Sequence, residues 1–180
     1  MRSKWLFFLI AALLSHSLFA KVVSREEALR AAFPEGEIQY RPIFLTKAEL
    51  EEVEKISGTR VLSALVASYR ATANGKLIGL AYLDTHVVRT KKESLLVLLT
   101  PEGSIKRVEV VAFLEPPEYL APDRWYQQFD GKRLDNDLHL KRDIHPVTGA
   151  SLTAQATVDA TRRILAIDQL MRKKGGHTQP

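Results

Sequence analysis

The hexapeptide TGASLT, residues 148–153, places three hydroxyls and one glycine just before the last long helical pattern of the chain. Three readings suit these residue types. A serine nucleophile on a strand-to-helix elbow needs G-x-S-x-G, but Thr153 stands where the second glycine belongs, and His145-Pro146 makes a poor central strand. An anion site at a helix start needs free N–H groups, hydroxyl donors and a glycine that lets the backbone approach a ligand, and Thr148, Gly149, Ser151 and Thr153 supply them. The third reading is structural, with Thr148 or Ser151 as the helix N-cap. Spacing alone leaves anion site and cap both open. A metal centre would draw on His86, His139, His145 and His177, which share no helix-face spacing and have no Cys partner.

Several elements must position this hexapeptide. From about Ala150 to Lys174, residues Ala156, Ala160, Ile164, Ile167 and Met171 follow helical spacing. Asp159 and Arg163 stand as an i,i+4 pair, Arg172 to Lys174 suit the last turn, and Gly175 suits the cap. Upstream, SREE (residues 24–27) and TKAE (46–49) read as capping boxes, opening helices that reach about Phe33 and Ile56. Residues 61–73 and 76–88 read as strands joined by an Asn74-Gly75 hairpin turn. Residues 94–100 are a short apolar strand, and 104–115 a fourth, on which alternation places Lys106, Val108, Val110, Ala112 and Leu114 on one face. Trp125 and Phe129, four apart after the helix start at Pro122-Asp123, read as a core-facing aromatic pair. The expected fold is a single α+β domain, an antiparallel sheet of about four or more strands packed against N-terminal and C-terminal helices.

Composition bounds the chemistry. The 180 residues are 26% charged and 46% hydrophobic, with a net charge of +5 and no Cys. Disulfides, thiolate-held iron–sulfur clusters and Cys-attached haem are therefore excluded. No clustered basic footprint points to nucleic acid. The first 20 residues have the layout of a secretory signal peptide: a basic start, the apolar run WLFFLIAALL at residues 5–14, and Ala20 at a cleavage position. An uncleaved N-terminal anchor is the competing reading, because Leu18 suits cleavage poorly. Residues 1–20 carry Arg2 and Lys4 and no acid, which leaves +3 on residues 21–180.

TGASLT also resembles the S/T-G-A-T/S flavin-attachment motif of the FMN-binding domain family. Residues 75–125, including THVVRT and EPPEYL, are similar to the sheet region of its small exported members. The family contains exported electron-transfer proteins and the flavin-carrying subunits of sodium-pumping and related membrane reductases. The resemblance implies residues 21–180 as an FMN-binding domain and FMN as cofactor. It implies a flavin transferase that forms a phosphoester on the last motif hydroxyl, here Ser151, with Thr153 as the weaker acceptor. It further implies Thr148, Gly149 and Ala150 as motif contacts, Arg89 as a phosphate partner and His86 as a flavin hydrogen-bonding or tuning group. Glu115 and Tyr119 would line the flavin edge. The redox partner would be a membrane reductase or an exported cytochrome, and the location periplasmic or extracytoplasmic. His145 stands where the family has Asp, and the acceptor is Ser rather than the commoner Thr. These departures motivate the alternative, a flavin-free exported adaptor that keeps the fold. No G-x-G-x-x-G nicotinamide fingerprint is present, so the expected role is electron carrier rather than stand-alone enzyme.

Overall fold

Six strands form an antiparallel sheet in the computed structural model, which describes residues 22–175. The signal-like segment 1–20 and residues 176–180 of the C-terminal tail lie outside the described residues. The strands are β1 (Glu37–Tyr40), β2 (Ile43–Phe44), β3 (Leu65–Ala73), β4 (Lys76–Val87), β5 (Lys92–Leu99) and β6 (Ile105–Phe113). Their order is β1-β3-β4-β5-β6, with β2 also paired to β3. The four expected strands are β3 to β6, each hydrogen-bonded to its neighbour in sequence. Asn74 and Gly75 both take positive φ, 50° and 74°, as a tight two-residue hairpin turn requires. β1 and β2 are additions to that expectation. They flank Pro42 and are too short to show a period, so pairing to β3 defines them.

Among the described residues there are four α-helices: α1 (Arg25–Ala32), α2 (Lys47–Ser57), α3 (Asp123–Tyr126) and α4 (Ser151–Lys173). The Ser24 hydroxyl accepts from the Glu27 N–H at the start of α1. Thr46 and Glu49 close a full capping box on α2, and Gly58 ends that helix with φ of 69°.

The sheet is buried on two faces with different covers. Tyr82, Leu95, Val97, Leu99, Val108 and Val110 join residues of α4 in the main core. Trp125 and Phe129 sit in that core as expected, edge to face with ring centroids 5.5 Å apart, an arrangement that adds roughly 0.5–1.5 kcal/mol beyond burial. On the other face Tyr69, Ala71, Ala81, Leu96 and Leu98 pack under α1 and Phe33. Gly79 allows this second layer, since a Cβ there would meet the Phe33 ring at 2.3 Å.

Strand β6 departs from simple alternation. Register shifts at Leu98/Leu99 and at Ser94/Leu95 interrupt its pairing with β5. Only Val108 and Val110 of the five expected residues share the main-core face. Lys106 turns to the α1 side, where its ammonium bonds the Ala32 carbonyl and lies 4.8 Å from the Phe33 ring centre. A bulge places two residues against one, which moves every side chain beyond it to the opposite face.

Two adjacent arginines fasten α4. Arg162 donates to the carbonyls of Ser57 (2.8 Å) and Asp135 (2.7 Å), tying α2 and the long loop after α3 to the helix. Arg163 was expected to pair with Asp159. It instead grips Asp84 of β4 through two bonds of 2.8 and 2.9 Å, and Asp159 accepts from Gln155. The bidentate fork to a buried carboxylate outcompetes a solvated i,i+4 pair.

Candidate functional site

The first turn of α4 opens into a pocket of about 180 Å³ walled by Arg89, Tyr119 and residues 149–153. Gly149 turns the chain into the helix with φ of 85°, a conformation that side chains disfavour. The N-cap position is Ala150, and no side chain caps the helix. Neither Thr148 nor Ser151 takes the capping role that spacing left open. Both are exposed beside the helix start. The first-turn N–H groups therefore face the pocket without a side-chain acceptor, with the positive end of a 23-residue helix behind them.

The opposite wall is the turn between β4 and β5. The Glu115 carboxylate is turned inward and one oxygen accepts three backbone N–H groups, from Arg89 (3.0 Å), Thr90 (2.6 Å) and Lys91 (2.7 Å). The bonds from Thr90 and Lys91, with that from Arg89, hold its pKa below the usual carboxylate range. Glu115 is thus a brace for the turn and does not line the pocket. The turn carries Arg89, whose guanidinium carbon lies 4.4 Å from the centre of the Tyr119 ring. Tyr119 is fixed in turn, because its carbonyl accepts from the Thr153 hydroxyl at 2.6 Å. Thr153 is fully buried, so this bond consumes the hydroxyl that was the weaker attachment candidate. Ser151 is left as the exposed hydroxyl in the pocket lining.

The structure thus brings together Arg89, Tyr119, Gly149, Ala150, Ser151 and Thr153 from three separate parts of the sequence. Thr148 borders the group by chain position. His145 is exposed and is held through its backbone: its carbonyl accepts from Trp125 (2.7 Å) and its N–H donates to Gln128 (2.8 Å).

His86 lies elsewhere. It is almost fully buried and borders a second hollow of about 370 Å³, with Val87, Ala156, Asp159 and Arg163. Its Nδ1 is 2.9 Å from Asp84 and its Nε2 is 3.0 Å from Glu93. Both ring nitrogens are engaged, so the hydrogen bond to a flavin that the resemblance implied has no free atom to make it. Burial pushes the imidazolium down, but the bonds and charges of Asp84 and Glu93 outweigh it and lift the ring up to about 9. Burial raises the Glu93 carboxyl despite its His86 partner. Burial also opposes ionisation of Asp84, yet His86 and Arg163 together hold its pKa below the ordinary value. Arg163, Asp84, His86 and Glu93 form one continuous hydrogen-bonded chain, in which Glu93 Oε1 is buried without a partner.

This tetrad was missed in the sequence. A signal was there, since Asp84 and His86 are two apart on one strand face, but their partners Glu93 and Arg163 come from β5 and α4. The two hollows neighbour one another along α4. Leu152 borders the first and Ala156, one turn on, borders the second.

A phosphate group suits the first pocket by this structure's own geometry. Uncapped N–H groups, a guanidinium and an exposed hydroxyl line it, and the Glu115 carboxylate faces away into the turn. The pocket is smaller than the roughly 300–1,000 Å³ that encloses a whole organic ligand. It has room for a phosphate and its adjoining carbons, with a larger ring system outside it. No protein-family model matches the chain, and a search among curated proteins gave no match.

Proposed function

We propose that this chain is an exported FMN-binding electron-transfer protein whose flavin phosphate is joined to Ser151 at the start of α4. The observation that carries this reading is the helix start itself. Two hydroxyls bracket it, neither caps it, and it opens toward the Arg89 guanidinium. A phosphoester retains negative charge, and that charge is favoured by the helix N-terminus and by Arg89. Gly149 keeps the backbone clear of the group, Thr153 and Tyr119 fix the pocket floor, and Glu115 holds the turn that presents Arg89. When bound, the flavin supplies the redox chemistry, and the protein supplies attachment, orientation and field. The 370 Å³ hollow next along α4 has the room for the ring system. His86 then acts through its fixed charge, since both its nitrogens are bound within the protein.

This reading calls for a flavin transferase to form the ester and for a membrane reductase or exported cytochrome as redox partner. The test is expression and export beside a flavin transferase, followed by intact mass and fluorescence on a denaturing gel. The expected result is an added FMN mass that disappears in Ser151→Ala and persists in Thr153→Val. A colourless native protein of unmodified mass overturns the reading and favours the flavin-free adaptor.

A further inference from the structure

Helix α1 covers only part of its sheet face, and the remainder is apolar and open. Cross-strand partners share a face, so the register traces that surface. Phe44 pairs with Leu65, and Tyr40 pairs with Tyr69. Val87 pairs with Lys92, and the Leu114 N–H donates to the Lys92 carbonyl on the other side. Tyr40, Phe44, Leu65, Val87 and Leu114 are 53%, 74%, 49%, 54% and 59% exposed. Five of the eight large apolar side chains most exposed among the described residues therefore lie on one side of one sheet. From Phe44 on β2 to Leu114 beyond β6 the span is four strand spacings, roughly 19 Å. Scattered surface leucines need no explanation, but two apolar groups on one sheet face do, Tyr40, Phe44 and Leu65 at one edge and Val87 and Leu114 at the other. The polar residues in its middle are mild: the Thr85 and Ser94 hydroxyls satisfy each other at 2.8 Å.

The rim is basic. Lys92 stands between Val87 and Leu114, with Arg89 and Lys91 in the adjoining turn and Arg41 beside Tyr40, all exposed. Three acids near this side are engaged, Glu109 with Arg107, Glu26 with Arg25, and Glu115 inside the turn. The chain also enters the described fold at this place. The Val23 N–H donates to the Val110 carbonyl on β6, beside the open end that holds Ala112 and Leu114. The apolar run at residues 5–14 stands a short way upstream in sequence.

We propose that this sheet face is a docking surface for an anionic lipid bilayer, with the apolar side chains meeting the interface and Arg41, Lys91 and Lys92 meeting the headgroups. The surface does not depend on flavin. It puts the β4–β5 turn, and with it the mouth of the Arg89 pocket, at the membrane surface.

The test uses the full chain, which has no native Cys, so one introduced Cys carries a nitroxide label at a chosen position. Labels go at Leu114→Cys and Val87→Cys on the open face and at Glu51→Cys on the exposed side of α2. Vesicles are phosphatidylcholine alone or with about a quarter phosphatidylglycerol, enough to give a negative surface. On the mixed vesicles, the two face labels should become accessible to lipid-soluble oxygen and shielded from a water-soluble nickel complex, while the Glu51 label stays aqueous. Lys91→Glu with Lys92→Glu should weaken vesicle binding by at least tenfold, following roughly fivefold per lysine. Face labels as aqueous as the Glu51 label overturn the proposal, even if the protein is vesicle-bound, because the N-terminal segment alone would then account for binding. Immobilised face labels without vesicles, with a dimer in sedimentation, overturn it in favour of a second copy.

Discussion

The first and fourth turns of α4 solve opposite problems with similar residue types. At the first turn, Ser151 and the helix N–H groups lack side-chain partners and face open space beside a cation. At the fourth, Arg163 reaches a buried carboxylate, and the Asp84–His86–Glu93 chain leaves no ring nitrogen of His86 free. Polar groups that are buried must be satisfied internally or they destabilise the fold. Polar groups at an open helix start tolerate being left to solvent or ligand. A candidate binding site is thus marked here by what is unsatisfied and reachable, whereas the enclosed network engages both His86 nitrogens and both Asp84 oxygens and leaves only Glu93 Oε1 of its buried atoms without a partner. His86 is the more eye-catching residue in the sequence, yet it belongs to the second class.

That contrast predicts a ranked series of effects. Asp84→Ala should be the most damaging change, because it strands Arg163 and His86 in the interior; a loss of about 3–5 kcal/mol is expected in urea unfolding. A loss under about 1 kcal/mol would mean that the tetrad is not a lock. Raising the pH should act next. The folded His86 pKa of about 9 lies above its unfolded value of 6.5, so its contribution is complete below 6.5 and is lost as the pH rises through 9. The expected loss is on the order of 2–3 kcal/mol by linkage, read from unfolding curves at pH 7 and pH 10, and it should vanish in His86→Gln. Thr153→Val removes the bond to the Tyr119 carbonyl and should cost about 1–2 kcal/mol. Ser151→Ala should change stability by less than about 0.5 kcal/mol, since no capping bond is lost. It should nevertheless abolish any covalent flavin mass, which separates attachment from stability at the first turn.

Much of this fold was legible because its determinants are local. The Asn74-Gly75 turn, the Thr46 capping box and the spacing of α4 each act within a few residues, and each element is found where local chemistry puts it. Elements set by distant partners were not legible. β1 and β2 exist through β3, and the two irregularities of β6 depend on β5. The same division runs through the site. The glycine-led helix start at 149–153 could be read directly, and THVVRT and EPPEYL pointed to Arg89 and Tyr119. The roles of Thr153, Glu115 and His86 turn on hydrogen bonds across 34, 25 and 7 residues of sequence, which no spacing rule reports.

The meander from β3 to β6 pairs each strand only with its sequence neighbours, apart from the early strands on β3. Such pairings close short loops and form quickly, whereas α4 must return across most of the chain to reach β4 and α2. Loop-closure entropy therefore predicts that α4 docks late in assembly. The Arg163 lock and the Arg89–Ser151 pocket both depend on that one event, so neither exists in a partly folded chain. An enzyme that recognised the pocket walls together with Ser151 would act only on finished protein, and seating of this single helix would serve as the checkpoint.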